Sequence, residues 1–201
     1  MTSERTAKTG LSGGETDDGM TTDSALIESM KSGDKKAFRL LVERHKRMAY
    51  QTALGLVGNR DDAYDISQEA FLRAYRSAAT YKPEQPFLPW FYTIIANLAR
   101  TWLKRRTVSK SRNVDLDDVQ YLVSAEDSPE SDLIKREEIE RLRDCLVKLS
   151  FDDREIITLY HFRNMSYDEI ADLLNIPRGT VMSRLYYARK RLGALMGGTH
   201  G

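Results

Sequence analysis

The chain has 201 residues, enough for two small domains, and its net charge of only +1 excludes a generally basic coat for nucleic acid. A single cysteine, Cys145, excludes an internal disulfide framework and a thiolate metal cluster within one chain, and it suits a reducing compartment. No apolar run approaches the ~18 residues that cross a bilayer, and the N-terminus lacks a signal-peptide apolar core, so neither membrane insertion nor export is expected.

Residues 1–21 are rich in Thr, Ser, Gly and Asp. With almost nothing apolar to bury, they are expected to be disordered, and Met20 is an alternative start of translation. A helix is expected from Thr22 or Asp23, carrying Ala25, Leu26, Ile27 and Met30 and broken at Gly33. Asp34 can cap the next helix, in which Phe38, Leu41, Val42, His45, Met48 and Ala49 keep three-four spacing until Gly58-Asn59. His45 reads as a packed residue rather than a ligand. Asp61 opens a third helix with Ala63, Ile66, Ala70, Ala74 and either Leu72 or Phe71 inward. Its polar side runs from Asp62, Asp65, Gln68 and Glu69 to Arg73 and Arg76, with acids first and bases last, as the helix dipole prefers.

Thr80 to Pro89 holds three prolines and reads as a stiff loop. It leads into WFYTIIANLARTWLKRR, where Phe91, Ile94, Ile95, Leu98 and Trp102 form a core stripe and Thr93, Asn97, Arg100 and Lys104 face outward. Two readings of this aromatic, basic helix stay open. It is an aromatic core with a solvated edge, or a surface on which single-stranded bases stack while cations track phosphates. Charge then switches abruptly: Arg100 to Arg112 holds six basic residues and no acid, whereas Asn113 to Asp132 holds seven acids and no base. The switch marks a domain boundary followed by an acidic linker, 113–131.

Helix resumes at Ser131 or Asp132 and runs through Leu133, Ile134, Ile139, Leu142, Leu146 and Leu149, with Cys145 as a small core residue. Ser150 with Asp153 caps a helix from Phe151 to Phe162. Ser166 and Glu169 then form a capping box, Ile170, Leu173 and Leu174 keep helical spacing, and Asn175 ends the segment. Pro177 suits the first turn of a second helix. Unrolled at about 100° per residue, Val181, Leu185, Ala188, Leu192 and Leu195 lie on one stripe. Gly179, Ser183, Tyr186, Tyr187 and Lys190 point the other way, with Arg178 and Arg189 on one flank and Arg184 and Arg191 on the other. Five bases and no acid between Arg178 and Leu192, on the second helix of a helix-turn-helix, read as a DNA-binding face.

In these blocks the chain resembles a bacterial extracytoplasmic-function (ECF) sigma factor, a member of the RNA polymerase sigma-factor family. GDKKAFRLLVERH, DDAYDISQEAFLRAYR and FLPWFYTIIANLARTWLKRR are similar to sigma region 2. LSFDDREIITLYHFRNMSYDEIADLLNIPRGTVMSRLYYARKRL is similar to region 4. The resemblance implies an all-α fold: region 2 over 22–112, an acidic linker, region 4 over 132–196 and a disordered tail over 197–201. It implies a non-enzyme acting in the cytoplasm without cofactor, metal or small-molecule substrate. Its implied partners are the beta and beta-prime subunits of core RNA polymerase, promoter DNA and an anti-sigma factor.

The resemblance also assigns residues. Asp62, Asp65, Gln68, Glu69 and Arg73 would dock on core polymerase. Tyr81, Lys82, Asn97, Arg100, Lys104 and Arg105 would open the minus-ten element and hold a base flipped from its single strand. Arg178, Gly179, Thr180, Ser183, Arg184, Tyr186, Tyr187 and Lys190, within or beside the helix-turn-helix Tyr167 to Tyr186, would read the duplex minus-thirty-five element. The linker would thread toward the polymerase cleft. Met182 and Tyr187 stand where many relatives carry Lys or Arg, and Pro83, Pro86 and Pro89 stiffen the minus-ten loop. A free-standing helix-turn-helix regulator is the alternative reading. A metal-dependent hydrolase is disfavoured, because His45, His161 and His200 lack ligand spacing.

Overall fold

The computed structural model describes the backbone of residues 21–112 and 131–197 and the side chains of 21–106 and 137–197. The expected N-terminal extension, most of the acidic linker and the last tail residues lie outside the described residues, as do the side chains of Leu133 and Ile134. All regular structure among the described residues is helical: α1 (Asp23–Lys31), α2 (Lys35–Val57), α3 (Arg60–Arg76), α4 (Phe87–Arg112), α5 (Ser131–Val147), α6 (Phe151–Ile157), α7 (Tyr167–Leu174) and α8 (Arg178–Leu195).

Local chemistry sets the breaks. The Thr22 and Asp34 side chains cap α1 and α2 by accepting the Ala25 and Lys36 amides. Gly58 closes α2 at φ +76°, and the Asn59 side chain then caps α3 by accepting the amides of Asp61 and Asp62. Helices α2, α3 and α4 pack around Leu41, Leu56, Ile66, Phe71, Phe91 and Ile95, with α1 closing the core through Ile27. The Phe71 and Phe91 rings lie 4.7 Å apart and Phe87 stacks on Phe91 at 5.1 Å, which makes Phe91 the centre of this domain.

One open choice is decided and three expectations shift. Phe71, not Leu72, is the buried choice on α3: Leu72 is 45% exposed. Helix α4 begins at Phe87, inside the stretch read as loop, because Pro89 falls in the first turn, where a missing amide costs nothing. Ile139 and Leu195, expected inward, are exposed. The segment Phe151 to Phe162 is not one regular helix either. It is α6 followed by a π-helical turn, Thr158–Phe162.

The two halves are in contact. Helix α2 packs on α5, on α6 and on the π turn, so α5 to α8 sit against the side of the first bundle. Phe91→Ala should cost about 3–5 kcal/mol of stability, measured by chemical denaturation of the whole chain. A loss below about 1 kcal/mol would mean that Phe91 does not centre the core.

Candidate nucleic-acid interface

Helices α7 and α8 are set at an angle by two local devices. The Ser166 amide donates to Glu169 Oε2 at 2.7 Å and the Glu169 amide donates back to Ser166 Oγ at 3.2 Å, completing the capping box. Those hydrogen bonds hold the Glu169 carboxyl below its ordinary pKa. Asn175 takes the left-handed conformation at φ 52° and turns the chain. Pro177 stands one residue earlier than expected, as the cap with extended backbone, and α8 starts at Arg178.

Val181, Leu185 and Ala188 are buried beneath α8, while Gly179, Ser183, Arg184, Tyr186, Tyr187 and Lys190 are exposed and Thr180 is half-buried. The flanking arginines are anchored by their neighbours. Arg178 pairs with Asp168 at 3.1 Å, Arg191 grips Asp153 with two bonds of 2.6 and 2.7 Å, and Arg189 lies over the Tyr160 ring. Such anchoring fixes orientation before DNA arrives.

On the other half, Asn97, Lys104 and Arg105 are exposed along α4 and Lys82 is exposed on the preceding loop. Tyr81 differs from the expectation. It is 2% exposed and its hydroxyl lies between Ser24 Oγ and the Gln85 carbonyl, so its ring pins the loop instead of offering a face for stacking. On α3, Asp65 and Gln68 are exposed, Glu69 accepts from Arg73 at 2.9 Å, and Asp62 pairs with Arg106 at 3.4 Å. Burial raises the Asp62 pKa, and the Arg106 charge opposes that rise. Asn97 also shares a groove with Arg73, Arg76 and Ser77, so one face of α3 continues into the exposed side of α4.

The sequence did not reveal the residues joining the two halves. Asp153, Arg154 and Glu155 are consecutive, charged and buried. Arg154 donates to the carbonyls of Leu56 at 2.7 Å and Leu149 at 3.2 Å. The Tyr92 hydroxyl donates to Glu155 at 3.0 Å, and Arg100 lies 3.5 Å from the same carboxylate and stacks over Phe151 at 4.4 Å. Burial pushes the pKa of both Glu155 and Tyr92 upward. Two acids after a Ser cap look like ordinary cap chemistry, and nothing local distinguishes Glu155 from a solvated surface acid. The consequence is that Asn97 and Arg100 of α4 line one cleft with Arg184 of α8, together with Asp152 and Glu155.

Among the described residues there is no group of three or more His, Cys, Asp and Glu side chains able to hold a metal, and no helix is long and apolar enough to cross a membrane. A helix-turn-helix on one half and a basic helix on the other make this a two-part helical transcription factor. Family models described as Sigma-70 region 2 and Sigma-70, region 4 match residues 41–108 and 139–192. The chain is 34% identical over 177 residues to the ECF RNA polymerase sigma-E factor of Haemophilus influenzae, covering 85% of this chain and 93% of that protein. It is 30% identical over 176 residues to the RNA polymerase sigma-H factor of Pseudomonas aeruginosa, covering 85% and 91%. Its backbone is similar to that of CnrH in complex with the cytosolic domain of CnrY, with TM-score 0.64, 26% identity and coverage of 89% and 99%. The chain belongs to the ECF sigma factors of bacterial RNA polymerase.

Arg189 Nε donates to His161 Nε2 at 3.0 Å, so that ring nitrogen accepts and the ring is neutral. Burial, then the Arg189 charge, lowers the His161 pKa below its ordinary 6.5. The unfolded chain therefore binds this proton more readily, and the contribution of His161 to stability is lost as pH falls through that ordinary value. The denaturation midpoint should drop from about pH 8 to about pH 5, and His161→Gln should make the drop smaller. Equal drops in both proteins would remove His161 from the account.

Proposed function

We propose that this sigma factor docks on core RNA polymerase through Asp62, Asp65, Gln68, Glu69 and Arg73. It opens the minus-ten element with Lys82, Asn97, Arg100, Lys104 and Arg105, and reads the minus-thirty-five duplex with the outward face of α8. The single observation carrying this reading is that α8 presents Ser183, Arg184, Tyr186, Tyr187 and Lys190 together on the exposed side of a capped helix-turn-helix. Side chains of this kind suit base edges at the centre of a face and phosphates at its margins.

Such a protein lends specificity to an enzyme without catalysing a reaction itself, and it works in the cytoplasm, where polymerase is. Two of its residues lower the electrostatic share of binding. Met182 and Tyr187 are exposed and uncharged, so fewer phosphates are neutralised and the salt dependence should be shallow. An anti-sigma factor restrains the chain until its signal arrives.

Arg184→Ala should reduce transcription from the chain's own promoters on the order of tenfold to a hundredfold, with core polymerase binding unchanged. Run-off transcription on a genomic promoter library and a core-binding titration measure the two effects separately. Equal loss of core binding would contradict the role given to Arg184. Sequence-specific duplex binding by the isolated chain, with no effect of core, would favour a free-standing regulator.

A further inference from the structure

The outward strip of α8 is uncharged where it is most open. Gly179, Met182, Ser183, Tyr186 and Tyr187 carry no charge, and Met182 and Tyr186 are 48% and 61% exposed. The arginines of the same helix are held along its flanks. Arg178 pairs with Asp168, Arg189 donates to His161, and Arg191 grips Asp153. Arg184 lines the cleft walled by Asp152 and Glu155. Lys190 is exposed but stands about 12 Å further along the helix axis than Met182.

Met182 and Tyr186 are four residues apart and therefore neighbours on the helix surface. The Tyr186 and Tyr187 rings meet edge-on at 5.3 Å, which limits how far the Tyr186 ring can swing away. Towards the N-terminus nothing stands within 4 Å of the place a Cβ would occupy on Gly179, so the approach to Met182 is open. A flexible thioether beside an aromatic ring gains from an apolar partner. On the base edges of the major groove the only methyl group is the 5-methyl of thymine.

The residue beside this ridge points to the same base pair. The Ser183 hydroxyl donates to the Thr180 carbonyl at 3.1 Å, which leaves its lone pairs free to accept. Adenine, the partner of thymine, shows an amino donor in the major groove, whereas guanine shows two acceptors there.

We propose that Met182, with the Tyr186 ring beside it, is a specificity-determining residue that reads the 5-methyl group of a thymine in the minus-thirty-five duplex. The chain thus selects an A·T pair where an arginine in that place would select guanine. This inference rests on the duplex-reading role given to α8 under Proposed function, and it adds the base that this part of α8 selects. Thymine buries its methyl against the thioether and the ring. A G·C pair at the same step dehydrates Met182 without that gain and finds no outward guanidinium for its acceptors.

The test uses the full chain assembled with core polymerase. Run-off transcription on a genomic promoter library supplies the promoters. Each thymine of the minus-thirty-five element, on either strand, is then replaced in turn by deoxyuridine, which lacks only the methyl and keeps every hydrogen-bonding group. Promoter-complex formation is titrated with the parent chain, Met182→Ala and Met182→Leu, which place good helix formers on an exposed position.

At one thymine, loss of the methyl should weaken the parent complex about threefold to fivefold. Met182→Ala should bind thymine and uracil equally there, and Met182→Leu should restore the preference. The role of Met182 is overturned by selected elements without thymine, by a parent indifferent to every replacement, by an equal preference in Met182→Ala, or by its loss from Met182→Leu. Scrambling the whole minus-thirty-five element tests the underlying reading separately. Unchanged transcription from the scrambled promoter would remove both the duplex-reading role and this one. Lost transcription there, with every uracil silent, would remove Met182 alone.

Discussion

Burying charge is tolerated only where each group finds a partner, and α6 buries three in succession. Asp153 is held by Arg191 of α8, Arg154 by the carbonyls of Leu56 and Leu149, and Glu155 by Tyr92 and Arg100 of α4. One short helix thus binds α8 on one side and the first bundle on the other. Groups like these add little net stability against apolar replacements, but removing one partner costs about 3–5 kcal/mol. They set how neighbouring elements are oriented. Asp152 and Asp153 are also favoured where they stand, beside the unpaired amides at the start of α6.

The same constraint governs what the basic residues of α4 and α8 can do. Arg191 and Arg178 are tied to carboxylates of their own domain, which holds α8 on its bed and leaves its middle face outward. Arg100 is tied across to the other domain. A cation cannot serve a second anion and a buried carboxylate fully at once, so the interdomain contact limits what else Arg100 can bind.

Much of the fold was legible because it rests on local chemistry. Thr22, Asp34, Ser150 and Ser166 cap helices through their own side chains, and Gly58 and Asn175 end them by adopting positive φ. The sorting of α8 into Val181, Leu185 and Ala188 below and Tyr186, Tyr187 and Lys190 above followed from period alone. Choices that depend on distant partners were not legible. Phe71 against Leu72 is the exception, because the two lie about 100° apart and the stripe Ala63, Ile66, Ala70 and Ala74 falls on the Phe71 side. Tyr81 looked like an exposed loop aromatic until Ser24 and Gln85 supplied its hydroxyl with partners. Nothing near Glu155 in sequence announces Tyr92, which is 63 residues away. Likewise no pattern within α4 or α8 shows that Arg100 and Arg184 line one cleft.

The central claim, that the charged groups buried in α6 hold the two domains in one arrangement, can be measured as a distance. Cys145 is the only cysteine and is buried, so a Cys145→Ser background accepts one spin label at exposed Lys104 and another at exposed Lys190. Pulsed electron resonance should then give a narrow distance distribution for the parent chain and a broad one once Arg154→Met removes the tie to the Leu56 carbonyl. The same narrow distribution in both proteins would contradict the account.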